Sequence, residues 1–191
     1  MPRIPLINAP DGLSPEQQRV LAAVVSGPRG KIQGPLMAAL HNPDLADMWQ
    51  QLGAVLRYKT GLPARLSELA IIVTARAWDC QLEWHIHEKI ARQAGVETAI
   101  VEAVRGGHRP EGADAEALEI HDFVTELQRT KRVPQPVYDK VLARWGINGV
   151  VELTALTGYY SMVAMTLNAH EFPLPDGVSP PLAPLSADPR S

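Results

Sequence analysis

The chain predicts an all-α fold, and three observations carry that expectation. No segment alternates apolar and polar residues with hairpin turns at its ends, as a half-buried strand would. Capping and breaking residues divide the sequence into helix-length pieces from Ser14 onward. The most apolar stretch, Val150 to Ala169, contains Glu152, Asn168 and several threonines, so it reads as a buried helix and not as a membrane span.

Taken in order, Ser14-Pro15-Glu16 opens a helix, with serine as cap and proline in the first turn, running to about Ser26. A glycine- and proline-rich loop, Gly27 to Pro35, leads to a short turn of helix, Leu36 to Leu40. Asn42-Pro43-Asp44 then starts a helix reaching Tyr58. Thr60-Gly61-Leu62-Pro63 ends it and starts another, which carries Leu66, Leu69, Ala70 and Val73 on one side. Asp79 is the expected cap of a helix from Cys80 to Ala94, closed by Gly95. A shorter helix, Glu97 to Arg105, ends at Gly106-Gly107, and Ala113 to Thr130, Gln135 to Trp145 and Asn148 to His170 complete the series.

The 191 residues suit one domain: an N-terminal extension (1–12), a single helical body (13–171) and a proline-rich tail (172–191). A chain of this length buries about 70% of the surface its unfolded form exposes, so it folds without cross-links. Formal net charge is −3 and no basic run exceeds two residues, which leaves no electrostatic footprint for nucleic acid or for a membrane surface. The single cysteine, Cys80, excludes an intrachain disulfide and a cysteine zinc cage. The N-terminus lacks an apolar signal core, which predicts a cytoplasmic location.

Chemistry concentrates between Trp78 and Glu88. On a helix advancing about 100° per residue, Cys80, Glu83 and His87 share one narrow stripe at about 0°, 300° and 340°. His85 points nearly the opposite way, so His85 and His87 cannot chelate one metal from a regular helix. Glu83 and His87, four apart, can touch. A carboxylate beside an imidazole fixes the ring's tautomer and raises its basicity, while burial moves a glutamate pKa toward neutrality. In the first turn of its helix, Cys80 would sit where the dipole favours thiolate. The same residues also suit a plain interhelical pair and an apolar filler.

The run Leu62 to Ile71, followed by Cys80, Glu83 and His87, resembles the carboxymuconolactone decarboxylase family, which includes the AhpD-like alkylhydroperoxidases. The AhpD-like motif is a glutamate, eleven residues, Cys-x-x-Cys, three residues and a histidine. Glu68 and Cys80 keep that spacing, Glu83 occupies the second cysteine position, and His87 matches the histidine. The resemblance extends from Gly34 to Phe172, including Asn42 to Ala46 and Gly158-Tyr159-Tyr160. It implies an AhpD-like helical bundle assembled into trimers or hexamers, sometimes dimers, with sites near subunit contacts. A glutamate in place of the resolving cysteine removes the disulfide cycle of the peroxidases and aligns the chain with the decarboxylase-type, cofactor-free members.

On this basis the expected function is a lyase or isomerase without cofactor, acting by proton transfer on a small oxygenated acid, lactone or enolisable carbonyl compound. His87 serves as base or acid, Glu83 orients it or exchanges the proton, and Glu68 stands behind them. Along one straight helix Glu68 would lie about 18 Å from Cys80, so it joins the site only if the chain bends near Trp78-Asp79; otherwise it pairs with an arginine such as Arg65. Tyr159, Tyr160, Trp84 and His85 are candidate substrate contacts, with packing as the alternative for the aromatic rings. The competing functions are a one-cysteine peroxidase or thiol sensor at Cys80, a metal site on Glu83 and His87, and a non-catalytic helical oligomer. No role is assigned to His41, His108, His121 or His170, although His121 stands beside Asp122.

Overall fold

The protein is described here by a computed structural model covering residues 1–184, and every regular element among them is helical. The eight helices are α1 (Pro15–Ser26), α2 (Leu36–Ala39), α3 (Pro43–Tyr58), α4 (Ala64–Ala77), α5 (Gln81–Gln93), α6 (Thr98–Arg105), α7 (Ala115–Thr130) and α8 (Gln135–Ala169). They form two compact units, one of residues 1–60 and 165–173 and the other of residues 61–164 and 174–184. No composition shift in the sequence marks this division, whose second boundary falls inside α8.

In the first unit, α1 and α2 pack on α3. Ser14 caps α1 through a reciprocal box: Gln17 N–H donates to Ser14 Oγ at 3.2 Å, and Ser14 N–H donates to Gln17 Oε1 at 3.0 Å. The Asn42 side chain caps α3 by accepting from Leu45 N–H at 3.2 Å, and Arg19 of α1 reaches Asp47 of α3 at 2.9 Å. The N-terminal extension is tied down, since Arg3 N–H donates to the His170 carbonyl at 2.9 Å and Ile7 N–H to Met37 at 3.0 Å.

The second unit is built around α4, which packs against α5, α6 and α7. Every residue of α4 from Leu66 to Arg76 is buried, not only the side carrying Leu66, Leu69, Ala70 and Val73, because neighbours cover it all round. The turn from α4 to α5 differs from expectation. Asp79 does not cap α5: it lies in the left-handed region (φ 46°), while Cys80 N–H donates to Ala75 and Asp79 N–H to Arg76. That is a Schellman ending of α4 with aspartate where glycine is commonest. Cys80, at φ −82° and ψ 96°, is the N-cap of α5 and not a member of its first turn. Gly95 (φ 94°) closes α5 by the same device, with Val96 N–H bonded to Ala91.

The two helices expected over 135–145 and 148–170 are both present, meeting at a kink at Gly146 (φ 65°, ψ −171°), and together carry the label α8. By length and composition alone α8 could cross a membrane; half of its most apolar window is buried inside the protein. The tail lies along the second unit: Gln81 and the Leu182 backbone exchange hydrogen bonds of 3.0 and 2.9 Å, and the Ala183 carbonyl accepts from Arg76 at 2.9 Å. The last of the tail prolines, Pro189, falls outside the described residues.

Candidate active site

The reversal at Trp78 to Cys80 folds α5 back along α4 and decides the geometry of the site. Glu68, near the start of α4, meets His87 in the middle of α5: Nδ1 and Glu68 Oε2 are 2.7 Å apart, and both side chains are nearly inaccessible. The bend on which Glu68 depended is therefore present. Arg65, the alternative partner, is instead ion-paired with Asp114.

Glu83 does not make the contact expected from its spacing. It is 1% exposed, and neither carboxylate oxygen has a hydrogen-bond partner, so the imidazole bonds to the carboxylate nineteen residues upstream and not to the one four residues upstream. Helical spacing brings Cβ atoms of such residues close, but the packing of a neighbouring helix determines which carboxylate reaches the ring nitrogen. Burial pushes the Glu83 carboxyl well above its ordinary range, so its neutral, proton-bearing form prevails. A neutral acid still leaves a donor and an acceptor unmatched, which is costly in a protein interior unless something else engages them.

Cys80 is also buried, and its thiol is pushed up to about 12 by burial first and by the nearby Glu83 second. Its place at the head of α5 does not make it a thiolate, because desolvation outweighs the helix-terminus field. Tyr160 stands edge-on to His87 with ring centres 5.1 Å apart, and Tyr159 stands edge-on to Tyr160 at 5.3 Å. The tyrosine pair thus reaches the site from α8, with Tyr160 in contact with the imidazole. Trp84 is fully buried, donates to Glu88 at 3.0 Å and lies under the Arg105 guanidinium at 5.1 Å, which is a packing environment. His85 is half-buried and makes no hydrogen bond among the described residues. Among those residues no group of three or more His, Cys, Asp or Glu side chains could hold a metal ion.

One pair noted in the sequence but given no role, His121 beside Asp122, proves to be part of a larger constellation. His121 and Asp122 on α7, with Arg109 from the loop after α6, line a cleft of about 840 Å³ that none of Glu68, Cys80, Glu83 and His87 lines. Adjacent residues on a helix diverge, so a search for helical spacing passes over a His-Asp neighbour pair; the adjacency itself was the available signal.

Residues 43–120 match the carboxymuconolactone decarboxylase family. The matched segment is 78 of the 191 residues, less than half of the chain. It holds α3 to α5, and with them Glu68, Cys80, Glu83 and His87. Among solved structures, a peroxidase-related protein from Ralstonia eutropha JMP134 with an alkylhydroperoxidase AhpD core superposes with a TM-score of 0.73 at 16% identity, covering 92% of this chain and 93% of that one. A peroxidase-related protein from Silicibacter sp. TM1040 gives 0.72 at 16% identity, over 89% and 92%. The debrominase Bmp8, as a cysteine-to-alanine variant in complex with 2,3,4-tribromopyrrole, gives 0.66 at 14% identity, over 87% and 89%. At these identities the likeness establishes the AhpD-like helical fold. No curated protein sequence matches the chain.

Proposed function

We propose that this carboxymuconolactone decarboxylase-family chain is a cofactor-free lyase or isomerase that transfers a proton on a small oxygenated acid, lactone or enolisable carbonyl compound. The observation that carries the reading is the buried 2.7 Å Glu68–His87 pair, with the neutral Glu83 one helical turn before His87. Glu68 accepts the Nδ1 hydrogen of His87, which leaves Nε2 as the base. That nitrogen takes a proton from carbon beside the substrate carbonyl, and the C–H electron pair moves onto the carbonyl oxygen as an enolate. Glu83 donates its proton to that oxygen. Return of the His87 proton to another carbon, while the enol hydrogen passes back to Glu83 as the carbonyl re-forms, completes an isomerisation. In a decarboxylating variant the carbon–carboxylate bond supplies the electron pair, carbon dioxide leaves, and Glu83 protonates the enolate.

The roles of Glu68 and Glu83 are thus exchanged relative to the pairing that helical spacing suggests: Glu68 orients, Glu83 donates. Tyr160, edge-on to the imidazole, limits the ring's rotation. In this reading the chain works on a small molecule as a homo-oligomer, and the exposed apolar residues Leu45, Met48, Leu52 and Val55 along α3 support assembly. The reaction is tested by deuterium incorporation from heavy water into a panel of small keto acids and lactones. Wild-type protein exchanges the position beside the carbonyl, and Glu68→Gln and His87→Gln lower the rate by about 10² to 10⁴. Exchange equally fast in both folded variants overturns the assignment.

A further inference from the structure

The cleft of about 840 Å³ is walled by the C-terminal end of α4, the loop after α6, α7 and the start of α8, and has the size of a small-molecule site. Its apolar surface includes Val73, Val104 and Val137. Its polar side is an ordered chain. Arg109 holds Asp122 with two parallel bonds of 2.8 Å each, and Asp122 Oδ1 lies 3.2 Å from His121 Nδ1. Burial opposes the charge on Asp122, yet the Arg109 guanidinium keeps its carboxyl below the ordinary range. An ionised carboxylate only accepts, so Nδ1 carries the hydrogen. Burial of His121 lowers its pKa against the pull of Asp122, so the ring is neutral and Nε2 presents a lone pair. No hydrogen bond from the described residues reaches that nitrogen.

A second charged group stands in the lining of the same cleft. Arg76, 5% exposed, lines the cleft; its terminal nitrogens bind Asp79 and the Ala183 carbonyl, but its Nε hydrogen is buried without an acceptor. The remaining charged groups of the lining offset one another, since Arg129 pairs with Glu126 at 3.0 Å. A ligand suited to this lining brings a hydrogen to His121, can become an oxyanion near Arg76, and has an apolar body. A carboxylate brings no hydrogen to Nε2, and an aliphatic alcohol yields no stable anion.

We propose that the cleft binds a weakly acidic aromatic hydroxyl compound, a phenol in the simplest case, with its hydroxyl on His121 Nε2 and its ring against the valines. The hydroxyl hydrogen shifts toward Nε2, and the electron pair left on oxygen is stabilised by the buried Arg76. The site is independent of the Glu68–His87 pair.

The probe is 4-nitrophenol, whose phenolate is coloured, titrated with the full-length protein in buffer just below the pKa of the free compound. Binding saturates and raises the phenolate fraction, and 4-nitroanisole, which lacks the hydroxyl, does not compete. His121→Gln and Arg76→Gln weaken binding by about tenfold or more and abolish the colour change, while His87→Gln retains both. Because Arg76 also anchors the tail, histidine ring nitrogen-15 shifts in the wild-type protein supply a second reading, in which the probe moves His121 Nε2. The proposal is overturned if the colour does not change, if His121→Gln behaves as wild type, if the effect disappears only in His87→Gln, or if the His121 signals do not move.

Discussion

At the scale of single residues, the site turns on two buried groups whose charge is suppressed. Glu83 has a folded-state pKa raised by burial, so the stability tied to its neutral form is fully present below the ordinary glutamate value of 4.5 and is lost as pH rises through the folded value. Wild-type protein therefore loses urea resistance as pH rises above the ordinary glutamate value of 4.5, relative to Glu83→Gln, which carries no titrating proton. Parallel pH profiles of the two would show that Glu83 is solvated and charged. Cys80 is the second group. With its thiol at about 12, native protein reacts with a disulfide reagent about 10² times more slowly than the unfolded chain or worse, and mild peroxide leaves no sulfenic acid. Fast labelling of the native thiol would put the one-cysteine peroxidase, the competing function, ahead of the lyase or isomerase.

At the scale of elements, two breaks between helices rest on different backbone conformations. The α4–α5 turn uses Asp79 in a left-handed conformation, and it is this turn that lets Glu68 and His87 meet. The kink of α8 uses Gly146 at φ 65° and ψ −171°, a backbone combination essentially confined to glycine. An added Cβ at Gly146 would meet no atom within 4 Å, so any cost of Gly146→Ala is backbone strain alone. We expect about 1 to 3 kcal/mol, read from urea unfolding. Gly158 on the same helix also has open space around it but an ordinary helical backbone. Gly158→Ala should stabilise the protein by about 0.5 to 1 kcal/mol, and the opposite signs of the two substitutions separate strain from propensity.

At the scale of the whole molecule, the exposed apolar residues of α3 form a regular seam. Leu45, Met48, Leu52 and Val55, each between 46% and 61% exposed, follow the three-four-three spacing of a helix that packs against another helix. If this seam joins subunits, light scattering gives the mass of a multimer for the wild type and of a single chain for Met48→Glu/Leu52→Glu. A monomeric wild type would remove the homo-oligomer from the proposed function.

What was legible in the sequence rests on local physics. The helices from α1 to α7 begin and end within a residue or two of where Ser14, Asn42, Gly95 and their like place them, because caps and breakers act over a single turn. The stripe Cys80, Glu83 and His87 was likewise visible, since its members lie within two turns. Local pattern left three matters undecided: which carboxylate holds His87, that Asp79 ends α4 instead of starting α5, and that His121, Asp122 and Arg109 converge on a cleft. The first and third depend on separate helices being pressed together around α4, whereas the second is a local turn in which aspartate takes the place where glycine is commonest. Hydrogen bonds and desolvation at a site follow from that packing, so tertiary structure alone chose Glu68 as the partner and left Glu83 a buried acid.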